Sequence, residues 1–560
     1  MTVSSKTLQL TDRMASSPFR GGMPKNYDSG GSSSETENGI CLTLMEKKLR
    51  STAAKTKTKV FGTCSFCGQP ITGEKQRVEI AIPTTINSGK FVLSYDGHGV
   101  AKLHSSCWKN VLGSIKQRGG RRYVRTSRNS KTSNSADKAV TEQPKFESVE
   151  RSILKEVSGA AEFYDPMVVV GWEAIRIARL IKSARHCIVF TGAGISTAAG
   201  IGDFRGKAGK WTSNDLNDFI SDLSLTKKED PAIPDVGVDY ETLRPTYTHE
   251  ALKILLDQGF VKYIISQNGD GLHKLSGVPT GSISELHGNV FEEYCEKCGT
   301  RYARDFYTLD DVAGQYFDDM EDYGKSDIKL PKYAVRCKSC GLCHRTSRRC
   351  AKCKGYLLDT IINFGDNLEQ DIMDRAEEHA GKADLVISLG TTMAVTPANS
   401  LVTRNKGAGL LICNRQKTEF DSICDRKNGE GARTGSRVYI DCDVLMKCVM
   451  SLLLNTNDLI RWEGERDLRL KIYDTQRHKP DPISPTTSTN VSSNQASSSK
   501  PSGSNKTANY KVRGGREKKM SPGKDEEISS QEGGSVSKRA ISPEGGKQKR
   551  RSSKRIKIKL

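Results

Sequence analysis

The 560-residue sequence is poor in hydrophobic and aromatic residues, which make up only 35% and 6% of the chain. Part of the chain is therefore predicted to be disordered, because it cannot bury enough apolar surface to fold. No uncharged apolar run approaches the roughly 20 residues of a membrane-spanning helix, so no membrane association is expected. The first residues, MTVSSKTLQLTDRM, lack the basic and then apolar pattern of a secretory signal peptide. We therefore expect an intracellular protein.

Cysteine and positive charge, by contrast, are abundant. The sequence contains 16 cysteines. Thiols stay reduced inside the cell, where clustered cysteines more often hold metal than form disulfides. The formal net charge is +21, from 87 Lys and Arg against 66 Asp and Glu. A charge of this size predicts a polyanionic partner such as DNA or RNA.

Composition divides the chain into five segments. Residues 1–58 and 457–560 are rich in small polar and basic residues and are predicted to be disordered tails. Residues 59–113 carry CSFC and HSSCW around alternating apolar stretches, which predicts a small zinc-finger-like module. A basic, serine-rich linker follows at 114–149. Residues 150–456 have the hydrophobic pattern of a globular domain.

Short apolar runs alternate with helix-like segments in the globular region. The runs are CIVFT (187–191), YIISQ (263–267), LVISL (385–389) and GLLIC (409–413). Strands buried on both faces have this composition, and intervening helices connect parallel neighbours. The fold class is therefore predicted to be α/β, with a Rossmann-like parallel sheet.

A glycine-rich turn follows the first of these runs, in CIVFTGAGISTAAGIGDFRG. Gly192 and Gly194 are expected to let backbone N–H groups approach a phosphate, although the third glycine of the dinucleotide fingerprint is absent. An ordinary tight turn between strand and helix is the alternative. Asp203, Phe204 and Arg205 favour a dinucleotide, because they offer sugar contact, stacking and charge pairing.

Several further motifs follow one another in the globular region, namely TGAGIST, GDFRG, SQNGDGLH, ELHGN, paired CxxC motifs and LGTT. In this order, over roughly residues 160–455, they resemble the sirtuin family of NAD-dependent protein deacylases. EFYDP, KWT, RYARDF and LLDTIINFGD are most similar to the class IV, nuclear branch. The resemblance implies NAD as cofactor and acylated lysine of nuclear proteins, such as histones, as substrate. It also implies release of nicotinamide and O-acyl-ADP-ribose.

The resemblance also assigns roles to individual residues. His287, in ELHGN, corresponds to the general base, a role that suits an imidazole because its pKa lies near working pH. Asn268 corresponds to the residue that orients the ribose and an ordered water. The other implied cofactor contacts are Gly192, Ala193, Thr197, Asp203, Phe204, Arg205, Trp211, Gln267, Asp270, Gly390, Thr392, Asn414, Gln416 and Cys442. His249 and His273 are expected to be structural.

Two glycines depart from the family pattern. Gly202 stands where the family usually has proline, which predicts a more mobile cofactor loop. Gly269 stands where relatives carry a larger residue, which predicts a wider pocket floor. Neither change removes a chemical group from the reaction.

A zinc-binding insertion is predicted at about 290–358. Two CxxC pairs supply the four thiolates of a structural zinc site, Cys295, Cys298, Cys350 and Cys353. In an alternative set, Cys340 or Cys343 replaces Cys350. The spare thiols, with His344, also leave a second metal open.

The N-terminal module offers a separate C-x2-C and H-x2-C set. Its members are Cys64, Cys67, His104 and Cys107. The pattern is similar to the zinc fingers of poly(ADP-ribose) polymerases and to half a LIM domain, with a longer gap. Zinc binding is predicted, and the basic segment 116–128 adds DNA contact as a hypothesis. A small fold with incidental thiols is the alternative.

The end of the chain is strongly basic. Residues 547–559 hold eight Lys or Arg and no acidic residue. This run predicts a nuclear localisation signal and contact with chromatin or nucleic acid. Two alternatives to deacylation stay open, namely protein mono-ADP-ribosylation on the same fold and a weakly active scaffold bound to chromatin.

Overall fold

The computed structural model describes residues 59–83, 86, 91, 93–116, 148–206, 238–309 and 331–478. The tail predicted at 1–58, most of the linker predicted at 114–149 and residues 479–560 lie outside these ranges, as does Trp211. No helix in the described ranges is both long and apolar enough to cross a membrane.

The described strands are β1 (Val60–Thr63), β2 (Pro70–Thr72), β3 (Arg77–Ala81), β4 (Val100–His104), β5 (Glu162–Tyr164), β6 (Cys187–Thr191), β7 (Tyr263–Ser266), β8 (Ile283–Glu285), β9 (Glu292–Cys295), β10 (Arg301–Ala303), β11 (Arg345–Arg349), β12 (Tyr356–Asp359), β13 (Leu385–Leu389), β14 (Gly409–Cys413) and β15 (Ser436–Val438). The α-helices are Ser105–Lys116, Ser148–Val157, Met167–Ser183, Tyr247–Asp257, Leu272–Leu275, Gln370–Lys382, Cys442–Leu453, Thr456–Gly464 and Arg466–Asp474.

Six parallel strands form the central sheet, in the order β15-β14-β13-β6-β7-β8. Along β6, Val189 packs into the core on one face, and Ile188 and Phe190 pack into the core on the other. This double burial explains the continuous apolar runs of the sequence. The predicted Rossmann-like α/β fold is therefore confirmed.

The order of the sheet creates a switch point at β6. From β6 the chain builds β7 and β8 on one side and later β13, β14 and β15 on the other. Connections that leave a strand in opposite directions open a crevice at its carboxyl end, which is where ligands bind in such sheets.

A smaller antiparallel sheet lies within the predicted insertion. Its order is β10-β9-β12-β11, and Leu357 on β12 pairs with Cys295 on β9. Its hydrophobic core is small, since the buried cluster consists of Cys295, Cys350 and Leu357. A sheet with so few buried side chains needs another source of stability.

The N-terminal module is larger than the predicted segment 59–113. Its first helix continues to Lys116, and β5, which the sequence placed in the catalytic domain, pairs with β3. The helix Ser148–Val157 packs Ile153 and Leu154 into the same core. The module therefore includes chain from both sides of residues 117–147, a pairing that composition alone could not reveal.

The boundary predicted at residue 456 is also wrong. The helices Thr456–Gly464 and Arg466–Asp474 continue the fold. Arg466 and Arg469 each place Nε 2.9 Å from a carboxylate oxygen of the buried Glu250. Since Glu250 lies in the helix Tyr247–Asp257, these contacts anchor the two C-terminal helices on the catalytic core.

Candidate functional site

A cavity of about 420 Å³ opens at the carboxyl ends of four central strands. Ala193 follows β6, Gln267 follows β7, Gly390 follows β13 and Asn414 follows β14, and all four line the cavity. The cavity therefore occupies the switch-point crevice, and its volume is typical of a small-molecule or cofactor site.

Most of the cofactor residues predicted from the sequence line this cavity. They are Ala193, Asp203, Phe204, Arg205, Gln267, Asn268, Asp270, His287, Gly390, Thr392, Asn414, Gln416 and Cys442. Gly192 and Thr197 lie in the adjoining turn without lining the cavity, and Trp211 is outside the described residues.

The glycine-rich turn packs against a second turn. The N–H groups of Gly192 and Gly194 donate to the carbonyls of Leu389 and Gly390, at 3.0 and 2.8 Å. A Cβ atom on Gly194 would lie 2.7 Å from the Cα of Gly390. The N–H groups of these two glycines are therefore already paired, and the absence of side chains lets the two backbones approach closely. That the turn brings other N–H groups near a phosphate stays a prediction.

His287 presents one defined ring nitrogen to the cavity. Its Nδ1 lies 2.8 Å from the carbonyl oxygen of Gln267. A carbonyl only accepts, so Nδ1 carries the hydrogen, and Nε2 of the neutral ring holds the free lone pair. Burial lowers the pKa of His287 below its usual 6.5, although the Gln267 hydrogen bond acts in the opposite direction. A neutral ring at physiological pH can accept a proton.

Gln267, which also lines the cavity, has a side-chain N–H group without a hydrogen-bond partner among the described residues. Its Oε1 accepts a hydrogen bond of 2.8 Å from Thr391, whereas its buried Nε2 finds no partner among the described residues. An orphaned buried donor costs free energy unless a ligand satisfies it. A sugar hydroxyl of a bound dinucleotide is a suitable acceptor, so the residues present fit NAD.

Asn268 and Asp270 meet on the hydroxyl of Ser196. Asn268 Nδ2 lies 3.2 Å from Ser196 Oγ and also from the carbonyl of Gly192, and Ser196 Oγ donates to Asp270 at 2.6 Å. These bonds join the ends of β6 and β7. They fix the floor of the cavity beside His287.

His249 and His273 belong to the core, as expected. His273 Nε2 is 3.1 Å from Thr191 Oγ1, and the two imidazole rings stack edge to face at 4.7 Å. Burial lowers the pKa of both rings to about 3. Neither residue lines the cavity.

Sequence reasoning missed several residues that line the cavity. Arg415 places its guanidinium 3.4–3.7 Å from carboxylates of Glu162, Asp203 and Asp441. Glu162 lies on β5, the strand that completes the sheet of the N-terminal module, so this cluster connects the module to the cavity. The polar strand end ICNRQKT was the available signal, but it did not indicate which charges Arg415 would meet.

A second missed residue comes from beyond the predicted domain boundary. Arg477 donates to the carbonyls of Asp270 and Tyr240, at 3.4 and 3.0 Å, and lies 3.7 Å from the ring centre of Phe291. Its side chain is buried beneath the cavity floor. The C-terminal extension therefore supports Asp270 from behind.

The two departures from the family pattern have different surroundings. A Cβ atom on Gly269 would lie 3.1 Å from Cδ1 of Ile361, so Ile361 already occupies the space that a larger side chain would take. A Cβ atom on Gly202 would meet nothing within 4 Å. The floor beside Gly269 is therefore filled, whereas Gly202 has open space.

Gly288, directly after His287, provides a test of this arrangement. Its φ is +82°, and an added Cβ atom would lie 1.9 Å from the carbonyl oxygen of Thr360. We expect Gly288→Ala to lower the free energy of unfolding by at least about 1–3 kcal/mol, because positive φ and a backbone clash both oppose it. Thermal unfolding measures the loss. Gly281→Ala, where a Cβ atom meets nothing, should be neutral, and equal stability of the two variants would contradict the geometry.

The predicted zinc ligands of the insertion converge. One ligand atom from each residue lies within 4.8 Å of the others in the set Cys295, Cys298, Cys350 and Cys353. The Sγ pairs Cys295–Cys353 and Cys298–Cys350 are 3.4 and 3.6 Å apart. Four thiolates at such distances fit tetrahedral zinc. Cys340 and Cys343, the alternative ligands, lie outside this set.

The N-terminal ligands converge as well. The set is Cys64, Cys67, His104 and Cys107. Nδ1 of His104 lies 3.6 and 3.8 Å from the sulfurs of Cys67 and Cys107, while its Nε2 is 3.1 Å from the carbonyl of Pro70. That carbonyl orients the ring with Nδ1 toward the thiols, as metal-bound imidazoles require. This set also fits zinc.

Comparison with known proteins agrees with the geometry. Residues 192–397 match the Sir2 family. The NAD-dependent protein deacetylase SRT1 of Arabidopsis thaliana is 38% identical over 267 residues, which are 47% of this chain and 47% of that protein. The chain thus spans about half the length of that relative. A solved structure of Sir2 with a p53 peptide and NAD+ is 26% identical, and the match covers 49% of this chain and 96% of that one with a TM-score of 0.31.

Two other relatives belong to the predicted branch. The human NAD-dependent protein deacetylase sirtuin-7 is 34% identical over 298 residues, 51% of this chain and 62% of that protein. The Drosophila melanogaster NAD-dependent protein deacetylase Sirt6 is 36% identical over 269 residues, 48% of this chain and 74% of that protein. With this identity over most of the fly protein, and with the cavity at the switch point of a parallel sheet, the chain belongs to the Sir2 family.

Proposed function

We propose that the protein is an NAD-dependent protein lysine deacylase that releases nicotinamide and O-acyl-ADP-ribose. The observation that carries the proposal is the tautomer of His287, whose Nδ1 bond to Gln267 leaves Nε2 as a base in the strand-end cavity. The relatives named NAD-dependent protein deacetylase support the same chemistry.

Bound NAD would supply an electrophilic ribose carbon and a nicotinamide leaving group. Gln267 Nε2 would donate to a ribose hydroxyl, and His287 Nε2 would take the proton that this sugar loses. Asn268 and Asp270, fixed through Ser196, would hold the floor where nicotinamide leaves. Because these groups are positioned before substrate binds, little reorganisation is needed during reaction.

The adenosine end would lie toward β14. Asn414 Nδ2 donates to Gln416 Oε1 at 3.0 Å, and both residues line the cavity with Cys442. Arg415 beside them is held by three carboxylates. These contacts keep the loop after β14 in one position, where its polar groups can meet a ribose or base. Phe204, which is half exposed, would cover the reacting end.

Product analysis separates deacylation from mono-ADP-ribosylation, which stays the alternative on this fold. The full chain is incubated with NAD and an acetylated histone peptide, and the products are identified by mass spectrometry. Deacylation yields free lysine and O-acetyl-ADP-ribose, whereas transfer yields a protein heavier by ADP-ribose. A product mixture with only the heavier protein would contradict the proposal.

The pH dependence of activity tests the role of His287. Since burial lowers the pKa of His287 below 6.5, the ring loses its ability to accept a proton only below that pH. We expect kcat/KM for an acetylated peptide to be constant around neutral pH and to fall on acidification below about 6.5. An acid limb centred above pH 7 would contradict this assignment.

The target proteins are proposed to be nuclear and bound to chromatin. The support is the basic run 547–559 and the net charge of +21, which suit nuclear import and a polyanion. The N-terminal zinc module would add a further contact. A weakly active chromatin scaffold stays the second candidate. It would be favoured if His287→Ala preserved the cellular phenotype and deletion of 547–560 abolished it.

A further inference from the structure

A third cluster of side chains that could ligate a metal combines three residues of the insertion with Asp366, which lies just beyond it, and is separate from the two four-residue sets described above. We propose that it forms an additional zinc site, with the ligands Cys337, Cys340, His344 and Asp366. One ligand atom from each lies within 4.8 Å of the others. Two sulfurs, one imidazole nitrogen and one carboxylate oxygen are a donor set that zinc accepts.

His344 is oriented in the way that metal-bound histidines are. Its Nε2 lies 3.2 Å from Cys340 Sγ and 3.3 Å from Asp366 Oδ2, and its Nδ1 lies 3.2 Å from Oδ1 of the buried Asp359. Ligand atoms around tetrahedral zinc are about 3.3–3.8 Å apart. A carboxylate behind the imidazole fixes the ring and leaves the opposite nitrogen for the ion.

The backbone around Cys337 repeats the turn of the four-cysteine site. Two residues after Cys295 an N–H lies 3.4 Å from its sulfur, and the N–H of Gly299 lies 2.9 Å from its carbonyl. After Cys337, Ser339 and Gly341 make the same two contacts at 3.4 and 3.1 Å. Both glycines have positive φ, +68° and +82°. N–H groups directed at sulfur stabilise a thiolate, so both turns are built for metal-bound cysteine.

A metal at this cluster would join the insertion to the wall of the main cavity. Asp366 exchanges two 3.0 Å hydrogen bonds with Asn363, through its carboxylate and its own N–H. Asn363 and Phe364 line the cavity. Binding of zinc to Asp366 would therefore restrict the wall segment 361–366 by holding its end against the Cys337–Cys340 turn.

The test compares the zinc content of full-length variants and does not depend on the proposed enzyme activity. The three clusters found among the described residues predict three zinc ions per chain in the wild type. Cys340→Ser and His344→Gln should each contain one ion fewer. Cys343→Ser is the matched control, because Cys343 lies on the same loop, outside the cluster, and its thiol donates to the carbonyl of Arg345 at 3.5 Å, a contact that serine can also make. Elemental analysis of protein purified under reducing conditions gives the count.

Hydrogen exchange supplies a second measurement. Residues 357–366 should exchange faster in Cys340→Ser than in the wild type and keep wild-type exchange in Cys343→Ser. Equal zinc content in the wild type, Cys340→Ser and His344→Gln would overturn the proposal. Loss of an ion in Cys343→Ser but not in Cys340→Ser would overturn it as well. If Cys340→Ser does not fold, His344→Gln and the control still decide the result.

Discussion

His287→Ala should reduce NAD-dependent deacylation by about 10²–10⁴-fold, the usual contribution of a positioned general base. The variant removes Nε2 from the cavity and the hydrogen bond between Nδ1 and the carbonyl of Gln267. Since His287 lines the cavity and belongs to neither hydrophobic core cluster of the central sheet, its removal should leave the fold intact. The measurement is the initial rate of deacetylation of a histone peptide under saturating NAD.

His98→Ala is the matched control for this experiment. His98 is an exposed histidine of the N-terminal module and does not line the cavity. We expect its variant to retain wild-type rates and the wild-type melting temperature. If His287→Ala also retains wild-type activity, while its fold is unchanged, the assigned chemistry is wrong. Loss of activity together with a large fall in melting temperature would instead indicate a structural role.

Cys298→Ser should remove one zinc ion and unfold the four-stranded sheet of the insertion. The buried cluster of this sheet holds Leu357 and two cysteines of the proposed zinc site, Cys295 and Cys350, so apolar burial alone is too small to stabilise it. Zinc bound by small domains contributes about 10–16 kcal/mol of apparent binding free energy. Loss of one thiolate should therefore cost several kcal/mol.

Zinc content, thermal unfolding and proteolysis of the full chain measure this loss. Cys343→Ser is again the control, because Cys343 belongs to none of the described clusters. We expect faster cleavage within residues 292–359 in Cys298→Ser, with the central parallel sheet still folded. A Cys298→Ser variant with undiminished zinc and stability would contradict a structural metal at this place.

The sequence alone predicted the central sheet and the polar residues that gather at the carboxyl ends of its strands. The runs CIVFT, YIISQ, LVISL and GLLIC are almost continuously apolar, with only small polar residues such as Thr191, Ser266 and Ser388 buried among them. Strands of a parallel sheet that is covered on both faces have this composition. Polar groups directly after these runs must meet at one edge, because parallel strands end on the same side. His287 and the two CxxC pairs were recognisable from their motifs.

The tertiary structure decided contacts between segments that are remote in sequence. Arg477 supports Asp270 across 207 positions, and Ile361 fills the space that Gly269 leaves. Likewise β5 completes the sheet of the N-terminal module, and Asp366 joins the cluster of Cys337. Composition and periodicity describe neighbours along the chain, whereas these contacts depend on how packed surfaces meet. For that reason the motifs predicted the candidate site residues, and only the folded chain showed which side chains hold them in place.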